Sequence, residues 1–430
     1  MYQLYHKKQN LTSGQKCDIY YSQKLTDVQK EEIMSKLVML LVCGVVSFIM
    51  FMACLINGVR WAIGVFAHRD CANTVRAFKK SGFVLLGILL FMGIFVITTQ
   101  LLASTPTIKD SNGKIVEGSI ASLTSVKLNG HKEWITIRGY DKEAPVLLFL
   151  AGGPGGTQMA ATRYELGELE KHFVVVSWDQ PGSGKSYNCM NRSDITVETY
   201  IEDGIALTEY LLKTFEKKEI YLMGESWGSA LGIFLINEKP EYYAGFIGTG
   251  QMVDFEETEK IDYQLAMNIA KESGDEKLVN SLIEQGEAPY YEGNIALQSA
   301  TYLNYLSNHM ARNPQITNGG YNTFRDMFAS EYGVLDSVNF MLGIMNTFNV
   351  VYPTLYEIDL REDYSKLEVP VYFFIGRHDV NAPTKLADDY YNILEAPEKE
   401  LVWFEHSGHG PWLNETEKFV NETLRVFHVE

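Results

Sequence analysis

Cysteine is nearly absent from most of this chain. Of five cysteines, Cys17, Cys43, Cys54 and Cys71 precede residue 104, and only Cys189 follows it. No disulfide can therefore form within the last 326 residues, and no Cys-x-x-Cys pair or metal-ligand spacing occurs. Cysteine usage thus leaves the redox compartment open. Cations are short in the same stretch: 26 Lys and Arg stand against 49 Asp and Glu, whereas residues 1–104 carry 11 against 5. A body so poor in clustered Lys and Arg excludes nucleic acid as a partner class, because phosphate binding needs them. It tolerates cationic substrates, free amino termini among them. Internal repeats and low-complexity tracts are missing as well. What is present is a chain of 430 residues, 46% hydrophobic and 21% charged, ordered and longer than one typical domain.

Charge vanishes altogether from two runs, residues 37–59 and 83–103. At 1.5 Å per helical residue each can cross a bilayer core of about 30 Å. A cleaved signal peptide does not fit, since the first run follows 36 polar residues and is too long for an h-region. The connecting loop, 60–82, holds Arg60, Arg69, Arg76, Lys79 and Lys80 against Asp70. The positive-inside rule places that loop in the cytoplasm, and the flanking segments outside. The expected organisation is an N-terminal tail (1–36), a two-helix transmembrane anchor (37–104) and a body (115–430). The bilayer is then a partner, in a cell membrane crossed twice, with the body extracytoplasmic.

Past residue 115 the pattern changes to short strands alternating with helices. Residues 125–128 and 134–138 read as a hairpin, with Asn129-Gly130 supplying the positive φ of its turn. The runs 145–150, 173–177, 220–223 and 371–375 are short, apolar and branched, as strands buried on both faces must be. Residues 245–248 and 400–404 are weaker strand candidates. Helical patterns occupy 197–215, 227–237 and 383–394. This alternation predicts a mostly parallel sheet with helices on both faces. One long helical stretch, about 251–365, interrupts it and is expected to form a cap over the site.

The chemistry concentrates in three places. Gly224-Glu225-Ser226-Trp227-Gly228 directly follows a strand and precedes a helix, the setting of a nucleophile elbow. A serine hydroxyl needs a base, and the base an orienting acid. Asp379 lies just beyond the strand at 371–375, and His409 lies in a Gly-His-Gly loop beyond the run at 400–404. Asp359, Asp363 and Asp388 lack such a position, and His406 is the weaker of the two histidines. The oxyanion of an acyl transfer needs two backbone donors. Trp227 N–H is one candidate, and Gly153 N–H, from Ala151-Gly152-Gly153-Pro154-Gly155-Gly156, is the other. Gly182-Ser183-Gly184-Lys185-Ser186 looks like the end of a phosphate loop, but position 179 is Asp where that motif needs Gly, which excludes it.

Together these motifs resemble the proline iminopeptidase-like (S33) branch of the α/β-hydrolases. The resemblance is carried by Ala151-Gly-Gly-Pro-Gly155, Asp179-Gln-Pro-Gly-Ser-Gly-Lys-Ser186 and Gly224-Glu-Ser-Trp-Gly228, and covers about residues 120–430. It implies an α/β-hydrolase fold with a helical cap inserted after the sixth strand, here preceded by two transmembrane helices. It also implies the triad Ser226, Asp379 and His409, with no metal or organic cofactor. Ala151 stands where the family carries His, and Pro181 where it carries Arg. The cap lacks the family's Trp-rich segment, whose Glu binds a substrate's free amino group. Glu256, Glu257 and Glu259, at the start of the cap, are the candidates for that role. The expected substrate is a short peptide cut at its amino end. A small-molecule ester or amide is the enzymatic alternative, and a non-catalytic binding module on a hydrolase scaffold is the alternative from another class.

Overall fold

A computed structural model describes residues 27–429; the first 26 residues of the expected tail, Cys17 among them, lie outside the described residues. The chain forms two compact units, one ending at Phe95 and one beginning at Val96.

The first unit consists of helix α1 (Asp27–Phe66) and most of α2 (Ala72–Leu101). Their apolar side chains are exposed, with Leu41, Phe48 and Leu90 each about two-thirds accessible, and the most apolar window of each helix has no buried residue. Helices this long and uniformly apolar suit lipid rather than water. Both outrun the sequence expectation. α1 begins inside the expected tail and continues past Arg60, and α2 already includes Arg76, Lys79 and Lys80, so the connection is residues 67–71 rather than 60–82. A charged residue ends an apolar run but not a helix, whose hydrogen bonds continue into water. The turn is set instead by His68, with φ 53°, and by Asp70, whose carboxylate accepts the N–H of Ala72 at 2.9 Å.

The second unit is built on an eight-stranded sheet in the order β1-β2-β4-β3-β5-β6-β7-β8. β1 (Ile120–Leu128) and β2 (His131–Gly139) form the expected hairpin, with φ 44° at Asn129 and 101° at Gly130. β2 joins β4 (Val174–Asp179) antiparallel, and β3 (Val146–Leu150), β5 (Ile220–Glu225), β6 (Tyr243–Thr249), β7 (Val371–Gly376) and β8 (Lys399–Phe404) continue the sheet in parallel. β3, β4 and β7 are buried along their whole length, because helices cover both faces. One face packs under α4 (Val197–Thr214), α5 (Trp227–Glu238) and α13 (Thr384–Ile393); the other packs under α3 (Met159–Glu165), α14 (Pro411–Asn414) and α15 (Thr416–Val426).

Between β6 and β7 the chain leaves the sheet and builds the cap. Its helices are α6 (Phe255–Ser273), α7 (Glu276–Gln285), α8 (Ile295–Ala311), α9 (Thr323–Met327), α10 (Val334–Leu342), α11 (Phe348–Val351) and α12 (Leu360–Asp363). A core of its own, including Tyr263, Ala266, Leu282, Tyr302 and Leu306, holds α6, α7 and α8 together. This is the α/β-hydrolase fold with a helical cap.

Candidate active site

Ser226 occupies the turn between β5 and α5 with φ 56° and ψ −122°, a conformation few non-glycine residues adopt. Its N–H donates to Thr249 O at 3.0 Å. The flanking glycines are required by space. A Cβ on Gly224 would collide with Gly228 O, and one on Gly228 with Leu150 O. Strand, sharp turn and helix thus lift one hydroxyl above the carboxyl edge of the sheet.

Asp379 follows β7 and is buried. Its Oδ1 accepts the N–H groups of Asn381 (2.9 Å) and Ala382 (3.0 Å), and His409 Nδ1 lies 2.9 Å from its Oδ2. Two backbone donors fix the carboxylate, so its remaining strong partner is the imidazole. The loop carrying His409 crosses so close to the end of β7 that a Cβ on Gly376 would collide with Gly408 O. Burial alone would lower the His409 pKa. The charge of Asp379, its hydrogen bond and the nearby charge of Glu225 outweigh that and push it up to about 9. His406 is exposed and bonds Gln315 O instead.

Ser226 and His409 line one cavity of about 160 Å³, together with Gly153, Trp227 and Asn381 from the body and Phe255, Leu303, Phe348 and Tyr352 from the cap. Among the described residues no direct hydrogen bond joins Ser226 to His409; such catalytic bonds often tighten only around substrate. Gly153, at φ 147°, and Trp227, first residue of α5, both border this cavity. The N–H groups of a helix's first turn have no partner within the helix, which suits Trp227 to an oxyanion. Gln180 ties the pieces together: it accepts from Trp227 Nε1 and donates to Ala151 O, both at 3.0 Å. The neighbouring Lys185 pairs with Asp336 of the cap at 2.6 Å and is buried, a structural tie rather than part of a phosphate loop.

The three cap carboxylates diverge. Glu256 bonds Lys260 and Tyr291, and Glu257 bonds Arg361, all at the surface of the cap. Glu259 turns inward and is fully buried. It accepts from Ser299 Oγ (3.1 Å), Tyr352 OH (2.9 Å) and Tyr302 OH. Burial raises its pKa, against those three hydrogen bonds.

Two side chains escaped sequence reasoning. Asp262, one turn beyond Glu259 on the buried face of α6, has neither oxygen hydrogen-bonded. Burial first, then the charges of Glu259 and Asp379, drive its pKa well up. Glu225, the variable residue of the elbow, is buried with Oε1 3.9 Å from His409 Nε2. Its carboxylate accepts from Gln158 Nε2 (2.8 Å) and Tyr321 OH, and Gln158 Oε1 in turn accepts the N–H of Gly152 at 3.1 Å. A buried acid three residues after another on one helix was a readable signal. Glu225 carried none, because its partners lie far away in the chain.

The family described as serine aminopeptidase, S33, matches residues 166–319. The probable aminopeptidase YbaC of Bacillus subtilis (strain 168) is 32% identical over 317 residues, 71% of this chain and 96% of that protein. The chain belongs to the S33 serine aminopeptidase family of α/β-hydrolases. A proline iminopeptidase of Saccharolobus solfataricus is 25% identical over 287 residues, 65% of this chain and 84% of that one. Among solved structures, the proline iminopeptidase of Mycobacterium smegmatis shares the fold, with TM-score 0.50 and 16% identity over 71% of this chain and 98% of its own. These S33 relatives make the chain a hydrolase.

Proposed function

We propose that this S33 member is a membrane-anchored aminopeptidase that removes the first residue of short peptides through an acyl-enzyme. Ser226 Oγ attacks the carbonyl carbon while His409 Nε2 takes its proton. The N–H groups of Gly153 and Trp227 receive the charge that develops on the carbonyl oxygen. His409 then gives the proton to the leaving amine, and a water attacks the ester by the same route in reverse. Asp379 holds His409 Nδ1–H throughout and balances the imidazolium.

The observation that carries the aminopeptidase reading is the pair Glu259 and Asp262. Both lie on the face of α6 that also presents Phe255 to the cavity, and Glu259 is bonded to Tyr352 in the cavity wall. Neither carboxyl lines the cavity itself; both are buried on that face of α6, and a cationic group bound in the cavity would favour their charged forms. The cavity of about 160 Å³ is also small beside the roughly 300–1,000 Å³ of common ligand sites, and suits a single residue. Glu256 and Glu257, held in surface pairs, take no part in this reading. The test compares an aminoacyl-arylamide with its N-acetylated form and with aryl acetates. Better cleavage of the free amine is expected; equal or better cleavage of the acetylated compound would favour an esterase or amidase.

Anchoring rests on α1 and α2, whose most apolar windows have mean hydropathy 2.8 and 2.5 and hold no buried residue. The basic segment 60–82, the turn with the helix ends that flank it, stays in the cytoplasm under the positive-inside rule, with the hydrolase body outside. In intact cells an impermeant maleimide is expected to spare Cys71 in that turn until the cells are permeabilised. Labelling of Cys71 in intact cells would place the body on the cytoplasmic side.

A further inference from the structure

Helix α10 carries its polarity the wrong way round for a helix on the surface of a soluble enzyme. From Val334 to Met345 every exposed residue is apolar: Leu335, Val338, Met341 and Ile344, each between 41% and 52% accessible. They recur every third residue and so form one outward stripe. The charge this segment does have points inward, where Asp336 pairs with Lys185. Residues 337–356 carry no charged side chain at all. The segment is long and apolar enough to be taken for a third span, but 39% of its most apolar window is buried, with Phe340 and Thr347 packed into the unit. It lies against the protein on one side and is bare on the other.

What stands beside this stripe is the end of α2. Val96 to Leu101 belong to the same compact unit as the cap. Thr99 Oγ1 accepts the N–H of Val334 at 3.1 Å. With its amide oriented to satisfy both atoms, Gln100 accepts the N–H groups of Leu335 and Asp336 and donates to Asp336 Oδ2 at 2.7 Å. The last turn of the apolar helix therefore caps the first turn of α10. Ser104 N–H, bonded to Ser330 O at 2.9 Å, closes the junction. Ile97, Leu101 and Leu102 are themselves 60–79% exposed, and the charge-free run of α2 continues to Ala103. The end of that charge-free run thus adjoins the start of the stripe on α10.

We propose that the outward face of α10 rests in the interfacial layer of the bilayer that α2 enters, a second and shallow membrane contact made by the cap itself. The inference depends on the membrane-anchored reading given above. A contiguous exposed apolar stripe marks an interaction surface, and helices at an interface bury such a face in the boundary of the headgroups. The capping bonds from Thr99 and Gln100 leave it little freedom to turn away.

The test uses the full chain with its five cysteines replaced by serine, single cysteines introduced in turn, an environment-sensitive NBD label, and phosphatidylcholine vesicles with or without spin-labelled lipid. Val338→Cys reports on the stripe, Leu90→Cys on α2, and Lys218→Cys on the exposed edge before β5. The expected result is strong quenching at 90, quenching at 338 several-fold above that at 218, and retained hydrolysis by the 338 variant. Quenching at 90 with 338 no different from 218 overturns the inference and leaves the anchor standing. Absence of quenching at 90 overturns the anchored reading and this inference with it. A blue-shifted label at 338 that ignores lipid quenchers but follows the protein-to-lipid ratio assigns the stripe to a second copy of the chain, and equally overturns it.

Discussion

The two walls of the cavity are built by different means. On the body side, position is set by backbone: a strained serine, glycines that admit no Cβ, and a carboxylate held by two N–H groups. On the cap side, it is set by side chains from α6, α8 and α11 and the turn after α11, with Glu259 and Asp262 behind them. Backbone positions tolerate almost no substitution and so leave a dense local motif. Side-chain walls can be rebuilt one residue at a time and leave none. Under the proposed function, reaction type belongs to the body and substrate choice to the cap.

The sharpest way to break it is at the nucleophile. Ser226→Ala is expected to lower kcat by roughly 10⁴–10⁶-fold with the fold intact, and to abolish labelling by a fluorophosphonate. Equal labelling of both proteins would remove Ser226 from the reaction, and failure of the wild type to label would revive the binding-module alternative. Gly376→Ala attacks the same wall without touching a reacting group. The added methyl must displace Gly408 O, one residue from His409, so turnover should fall steeply and stability by about 1–3 kcal/mol. Circular-dichroism melting beside a rate assay checks it; wild-type values for both would show that the close approach is not needed. On the cap side, Glu259→Gln should cost about 10–100-fold in kcat/KM for free-amine substrates, the worth of one charge-assisted hydrogen bond, and leave aryl acetates nearly unchanged. A loss shared equally by both substrates would move Glu259 from substrate choice to cap stability.

The body was largely legible in the sequence. Short branched runs at 145–150, 173–177, 220–223 and 371–375 are β3, β4, β5 and β7, and the weaker runs at 245–248 and 400–404 are β6 and β8. Asn129-Gly130 marked the hairpin turn, but its strands reach back to Ile120 and on to Gly139, because Ser and Thr on their half-buried faces dilute the apolar signal. The two N-terminal helices were legible as apolar runs and not as helix lengths. Within the cap only the boundaries could be read. Its helices carry mixed faces, since they pack on one another as well as on the body, and the inward turn of Glu259 depends on Tyr302 and Tyr352, 43 and 93 residues away. Glu225 was hidden for a similar reason: its partners Gln158 and Tyr321 belong to segments that only the folded chain brings to the elbow.

Glu225 also gives the smallest and most specific effect, because it belongs to the body wall yet bonds a residue of the cap. In the proposed mechanism His409 must be neutral to accept the Ser226 proton, and in the free enzyme its pKa is pushed up to about 9. kcat/KM is therefore expected to rise with pH until about that value, since this parameter follows the free enzyme's ionisations. Asp379 supplies the larger part of the upward push and Glu225 the smaller. Glu225→Gln removes one negative charge near Nε2 while keeping the size of the side chain. The rising limb should shift toward lower pH, while the alkaline plateau falls only modestly. That fall has its own cause: the new amide has one acceptor oxygen and cannot accept from both Gln158 Nε2 and Tyr321 OH, so the hold on Gly152 loosens. A purely structural Glu225 would lower the plateau and leave the limb where it is. A pH–rate profile of the two proteins separates these outcomes, and an unmoved limb would confine Glu225 to bracing the oxyanion loop.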